Sequence, residues 1–331
     1  MKRRDFITLL GGAAATWPVA AGAQQPNRPR KVGVMMPEAE NSAESLARKA
    51  RFEQALAKLG WNLGSNLAMD YRWAVNGPDP ANRATAELLA LSPDLIVAVA
   101  TPAARAARKM IHSIPVVFVA VTEPVSQGIV ASLANPGGNL TGFSNLEGTF
   151  GGKWLELLKD IAPTVKNVGI VFNPDSAPFA VPIANATVAA AAGFDLKAET
   201  IAVRGQDQIE AAIARLAAEA GSGLIFPPDA HTSNLAKPIA ESCNRYKIPA
   251  VYGLRLMVVE GGGLMSYGID LIETFGDAAR YVDRVLKGEK PANLPVQQPT
   301  KYELVINLKA AKAIDLSVPP ALLVRANEVI E

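Results

Sequence analysis

The chain has 331 residues, 49% hydrophobic and 19% charged, with one cysteine, two histidines and a formal net charge of +2. Such a length and apolar share can bury a large core and fit two domains better than one. Lys2, Arg3 and Arg4 against Asp5 supply the whole net charge, so the remainder is neutral and gives no electrostatic case for nucleic acid or an anionic membrane surface.

Residues 1–23 are expected to be an export address. Lys2-Arg3-Arg4-Asp5-Phe6-Ile7 is a twin-arginine pattern, the run from Thr8 to Ala20 is mildly apolar, and Ala21-Gly22-Ala23 suits a signal peptidase cutting after Ala23. A span needs about 20 strongly apolar residues, and this run is shorter and rich in glycine and alanine. No cysteine near the cut can carry a lipid, and the single Cys243 excludes an internal disulfide. The expected product is a soluble periplasmic protein and not a lipoprotein; both the twin-arginine and the general secretion route stay open.

After a polar lead-in, Lys31 to Met36 reads as a strand and Ser42 to Leu59 as a helix closed by Gly60. Leu67 to Ala74 alternates like a second strand, Ala81 to Leu91 is helical, and Leu95 to Ala100 is a buried strand before Thr101-Pro102, a good cap followed by a proline at the first helical position. Val116 to Val121 is an unbroken β-branched run, as in a parallel strand covered on both faces. It stops at Thr122-Glu123-Pro124, and a helix is expected from Pro124 to Asn135, then an extended piece from Asn139 to Asn145. Alternating strand and helix signals make this a doubly wound α/β layer.

The alternation then recurs. Helix Gly152–Ile161, strand Val168–Phe172, helix Val181–Ala192, strand Phe194–Val203, helix Asp207–Ala220 and strand Leu224–Phe226 are followed by a helix from Asp229 to Tyr246 and a strand Ile248–Tyr252. Val32 aligns with Val168, Leu95 with Leu224 and Ile114 with Ile248 at nearly constant offset, which argues for two similar lobes. Leu264–Ile269 reads as a strand, Phe275–Leu286 as a helix, Tyr302–Leu308 as a strand and Pro320–Ile330 as a terminal helix. Lobe 1 is expected at residues 30–143 plus about 270–293, and lobe 2 at 144–269 plus about 294–331. Three crossings, near Thr141 to Asn145, Tyr267 to Asp270 and Asn293 to Pro299, would form a hinge that closes on a ligand.

AVTEPVSQGIVASLANPGGNLTGFSN, LKGEKPANLPVQQPTKYELVINLKAAKAIDLSVPPALLVRANEVI and NPDSAP resemble the ABC transporter substrate-binding proteins of TrpX-like type, from about Lys31 to the end. The resemblance implies a type I periplasmic-binding-protein fold: two doubly wound parallel-sheet α/β lobes joined by a three-segment hinge, with a cleft and no catalysis. It further implies an ABC permease and its ATPase as partners, and a monomer without cofactor. Two departures stand out: the chain lacks a lipoprotein signal, and Thr122-Glu123-Pro124 replaces the family's Gly-Asp-Pro in the cleft.

The candidate ligand residues follow from the strand ends. Thr101 serves either as a helix cap or, with the N–H groups of its helix, as a carboxylate receptor. Thr122 and Glu123 share that edge, and Glu123 can meet an ammonium group unless it is simply a solvated loop acid. Asp175 and Asp229 hold matching positions in lobe 2, for an amine or as helix starts. Tyr252 and Tyr267 can stack on a ligand or pack in the core, and Asn145 can touch ligand or satisfy hinge backbone. His112 and His231, in different lobes, are too few for a histidine-rich metal site and badly placed for a catalytic triad. Ser266 lacks a nucleophile elbow, and Gly261-Gly262-Gly263 lacks dinucleotide spacing.

The reading is an extracytoplasmic solute receptor of an ABC importer that binds an α-amino acid, aromatic or branched. The alternatives are another small carboxylate or amide, a periplasmic sensor subunit, and an enzyme on the same scaffold.

Overall fold

Apolar β-branched runs become central parallel strands in the computed structural model, which describes residues 28–331 apart from 74–76, 146–149 and 300. The signal segment expected at residues 1–23, with its cut after Ala23, lies outside the described residues. In chain order come β1 (Arg30–Met35), α1 (Ala43–Lys58), β2 (Leu67–Arg72), α2 (Pro78–Ala90), β3 (Leu95–Val99), α3 (Ala100–Met110), β4 (Val116–Val121) and β5 (Leu140–Ser144). They form a wholly parallel sheet, β2-β1-β3-β4-β5. Strands β3 and β4 are buried at every position because helices cover both faces. Val97 and Val119 face the side of Phe52 on α1, and Ile96 and Phe118 the side of Leu88 and Ala103 on α2 and α3.

The second half adds α4 (Phe150–Ile161), β6 (Asn167–Phe172), α5 (Ala180–Ala191), β7 (Lys197–Ala202), α6 (Gln206–Ala217), β8 (Ser222–Phe226), α7 (Ala230–Asn234), α8 (Ala236–Arg245), β9 (Ala250–Tyr252), α9 (Leu256–Val259) and β10 (Met265–Ile269). After α10 (Leu271–Leu286) come β11 (Tyr302–Asn307), α11 (Leu308–Ala313), α12 (Pro320–Arg325) and β12 (Glu328–Ile330). The second sheet runs β12-β11-β10-β9-β8-β6-β7, with β11 antiparallel to β10. Its portion β7-β6-β8-β9-β10 repeats the order of the first sheet strand for strand. The aligned residues Val32 and Val168 lie on β1 and β6, and Leu95 and Leu224 on β3 and β8.

Three expected elements differ. Residues 124–135 form successive turns, not a helix: the Ile129 N–H donates to Pro124 O at 2.9 Å, the Gln127 side chain donates to Thr122 O, and Gly128 turns left-handed at φ +66°. The helix expected from Asp229 to Tyr246 breaks at Leu235 into α7 and α8. The terminal helix stops at Arg325, and residues 328–330 pair with β11 as an edge strand.

Helix α10 belongs to the core of the first sheet although β10, before it, lies in the second. The Phe275 ring meets Phe52 edge-on at 5.9 Å, and the Trp61 indole N–H donates to Asp283 at 2.9 Å. Asp270 starts the helix by accepting the Glu273 N–H at 2.9 Å. The chain therefore passes between the sheets after Ser144, after Ile269, and between Leu294 and Tyr302. The first and third passages are stitched together: the Ser144 N–H donates to Gln297 O at 2.8 Å and the Gln297 N–H to Gly142 O at 2.9 Å. Gly142 sits at φ +155°, where a Cβ would lie 2.0 Å from Phe118 O, so only glycine fits. No helix of the described residues is long and apolar enough to cross a membrane.

Candidate functional site

In a doubly wound sheet the loops leave from the carboxyl ends of the strands, and ligands collect there. Here those ends of both sheets border one cavity of about 50 Å³. From the first lobe come Glu38 after β1, Arg48 on α1, Ala100 and Thr101 after β3, Ala120 and Thr122 at the end of β4, and Asn145 after β5. From the second come Ser176 and Phe179 after β6, Pro228 and Asp229 after β8, and Ser233 on α7. Ala100 and Ala120 hold left-handed backbone at φ +66° and +58°, and Glu123 does so at +50°. For residues with a Cβ this costs of order 1–3 kcal/mol each and persists where packing over-determines it, as at ligand clamps.

The polar groups fall into two kinds. Asp229 is 2% exposed and already engaged: it accepts the His231 N–H at 2.9 Å as the cap of α7, the Asn173 N–H at 2.8 Å, and the Ser176 hydroxyl. Burial pushes its carboxyl above the usual range, against the pull of those three donors. On the first lobe the reverse holds. Arg48, 1% exposed, donates from Nη1 to Glu38 Oε1 at 2.6 Å and lies 3.6 Å from Glu44, yet its Nε and Glu38 Oε2 are buried with no protein partner. The Thr122 hydroxyl is likewise buried and unpaired, while its N–H donates weakly to Thr101 Oγ1 at 3.4 Å.

Of the residues singled out from sequence, Thr101, Thr122, Asn145 and Asp229 line this cavity. The other four do not. Glu123 lies just beyond Thr122, its left-handed backbone starting the turns of residues 123–127. Asp175 lines a neighbouring groove that shares Thr101, Pro102 and Ser176 with the cavity; it is paired with Arg204 at 3.0 Å, and Arg105 and Lys109 line the same groove. Tyr252 is fully buried and stacked on Phe226 at 5.3 Å, and Tyr267 packs against Phe150 at 5.7 Å behind β10. Glu38, Arg48, Ser176 and Phe179 were not foreseen. Arg48 was signalled, since Ser45, Arg48, Phe52 and Ala55 fall on one helix face and the other three are buried.

Beside the cavity the two lobes are tied by charge. Arg255, between β9 and α9, pairs with Glu44 of α1 across the cleft, with Glu328 on β12, and more loosely with Glu303 on β11 at 3.7 Å. Glu260 crosses in the same direction, its carboxylate accepting the Glu44 N–H at 2.7 Å in the first turn of α1. Burial and neighbouring Asp270 push Glu303 from its ordinary 4.5 up to about 7, against the pull of Arg255.

The chain matches, over residues 31–330, the model of the family described as ABC transporter substrate binding protein. A tyrosine-binding protein of Clostridioides difficile is 28% identical over 269 residues, 81% of this chain and 76% of that protein. Among solved structures, a conserved domain protein from Vibrio cholerae superposes with a TM-score of 0.83 at 29% identity, covering 91% of this chain and 100% of that one. The ABC domain of a Streptococcus protein in complex with L-Trp gives 0.80 at 27%, covering 91% and 100%. The ligand-free, open structure of a Clostridium difficile substrate binding protein gives 0.67 at 25%, covering 91% and 99%.

Proposed function

The chain belongs to the ABC transporter substrate-binding protein family, and on that premise we propose that it is the extracytoplasmic solute receptor of an ABC importer, taking an α-amino acid, aromatic or branched, between its lobes. The observation that carries this reading is a cavity lined from the carboxyl edges of both sheets, with unpaired buried polar atoms on the first lobe and Phe179, Pro228 and Leu254 beside them. A carboxylate and an amine are served by the polar side, and an apolar side chain by the rest. The L-Trp complex and the tyrosine-binding relative support an aromatic amino acid.

The cavity holds about 50 Å³, a third of the ~150 Å³ that admits benzene. An aromatic side chain therefore enters only when the lobes part, and the three crossing segments provide the hinge. The higher similarity to the L-Trp complex than to the open structure supports reading the present arrangement as the closed one. A permease and its ATPase would receive the closed form, and the exported, unlipidated receptor would act in the periplasm as a monomer. The test is a thermal-shift and calorimetric screen of residues 24–331 against amino acids and small acids, because a ligand specific to the folded state raises Tm. A hit whose affinity survives Thr101→Val together with Thr122→Val would place the site elsewhere.

A further inference from the structure

Two carboxylates line the cavity, Glu38 and Asp229, and they are not equivalent as seats for an ammonium group. A carboxylate offers about four lone-pair sites, and Asp229 already fills three of them with Ser176, Asn173 and His231. It fastens the loop after β6 to the start of α7. Glu38 uses only Oε1, on Arg48, and keeps Oε2 buried and bare. Arg48 keeps Nε–H in the same condition, and the Thr122 hydroxyl is the third such group among the residues that line the cavity. Leaving buried donors and acceptors unpaired costs about 1–3 kcal/mol each, more for charged groups, so a ligand that satisfies them collects that energy.

We propose that the Glu38–Arg48 ion pair receives the head of the ligand, so that the ligand class is a free, zwitterionic α-amino acid. Its ammonium meets Glu38 Oε2, and its carboxylate meets Arg48 Nε and the Thr122 hydroxyl. This deepens the reading of the cleft as an amino-acid site and rests on it. Charge balance favours the zwitterion over either half of it. Glu38 and Arg48 pair 2.6 Å apart, and Glu44, the other buried carboxylate beside Arg48, is itself paired with Arg255, so a lone carboxylate would face Oε2 and a lone amine the guanidinium without compensation. The head is held entirely by the first lobe, and the second lobe supplies the apolar lid of Phe179 and Pro228. N-acylated amino acids, peptides entering by their carboxyl end, and simple carboxylates are excluded.

The experiment is calorimetry on residues 24–331 with the full set of proteinogenic L-amino acids. The N-acetyl and carboxamide derivatives of the tightest binder follow. Each derivative is expected to bind at least about 10-fold more weakly than the free amino acid, a charged hydrogen bond being lost in each. Glu38→Gln keeps the shape and removes the charge; it should weaken the free amino acid at least about 10-fold and narrow its advantage over the N-acetyl form. The derivative series on the unaltered protein stands whether or not that variant folds. Derivatives binding within threefold of the amino acid would overturn the zwitterion head and leave the amino-acid cleft intact. Failure of every free amino acid to bind would overturn both.

Discussion

Replacing Arg255 with alanine is expected to open the protein without unfolding it. Its guanidinium is about one-fifth exposed, and its partner Glu44, across the cleft, is 4% exposed. Removing one member of a fully buried pair costs about 3–5 kcal/mol, and an exposed pair is worth about 0–1 kcal/mol. Glu44 retains Arg48 at 3.6 Å and is not left alone, so an intermediate cost of about 1–3 kcal/mol is expected. That cost falls on the closed arrangement, because parting the lobes returns Glu44 to water. The closed-to-open ratio then drops by a factor of about 5–150, and apparent affinity for a ligand that needs closure drops with the closed fraction. Small-angle scattering of the ligand-free protein reports the population, and calorimetry with the best amino acid reports the affinity. Glu328→Gln is the control, since it removes an Arg255 contact inside the second lobe and should leave both readouts in place. Glu44→Gln and the double variant close a cycle that isolates the cross-cleft energy. Unchanged scattering and affinity in Arg255→Ala would refute the latch.

Asp229→Asn should cost about 1–3 kcal/mol of stability, read by urea melts, since the amide cannot accept all three of the donors that the carboxylate holds. Gly142→Ala should lower Tm by more than any exposed glycine change, because its Cβ would overlap Phe118 O where the first crossing leaves the sheet. Glu303 yields a pH signature: with its carboxyl raised to about 7, the folded state holds the proton longer than the unfolded chain. Its contribution is fully present below about 4.5 and is lost as pH rises through 7, as Asp270, Glu44 and Glu328 come to face a charged neighbour. Glu303→Gln should therefore flatten the decline in Tm between pH 5 and pH 8, and a parallel decline in both proteins would count against it.

Strand positions were legible because five-to-six-residue apolar β-branched runs admit little else, and the repeat of Val32 at Val168 and Leu95 at Leu224 marked equivalent strands before any sheet order was known. Thr101, Thr122, Asn145 and Asp229, which line the cavity, were chosen by one rule, a polar residue one to three positions after a buried strand. The same rule chose Glu123 and Asp175 at the same spacings, and only the course of each loop keeps these two off the cavity lining. Tyr252 illustrates another limit. In a strand covered on both faces, alternation does not tell which face a side chain takes, and this ring stacks on Phe226 of the neighbouring strand. Glu38 lay in a loop with nothing local to distinguish it from Glu40. Its role depends on Arg48, ten residues away on a helix, and only the packing of α1 brings the two together.

The passage of the chain through α10 also bears on how the molecule is made. The first sheet is complete once Ser144 has left the ribosome, yet the helix that shields Phe52 and Val117 is encoded at Leu271–Leu286. At roughly 5–20 residues per second the nascent chain waits on the order of 10 s for that cover. Throughout that interval the part of the apolar sheet face that α1 leaves to α10 stays uncovered. Synthesis order thus keeps the early half unfinished until the late half arrives, and a fragment ending before residue 271 should be insoluble rather than half a receptor.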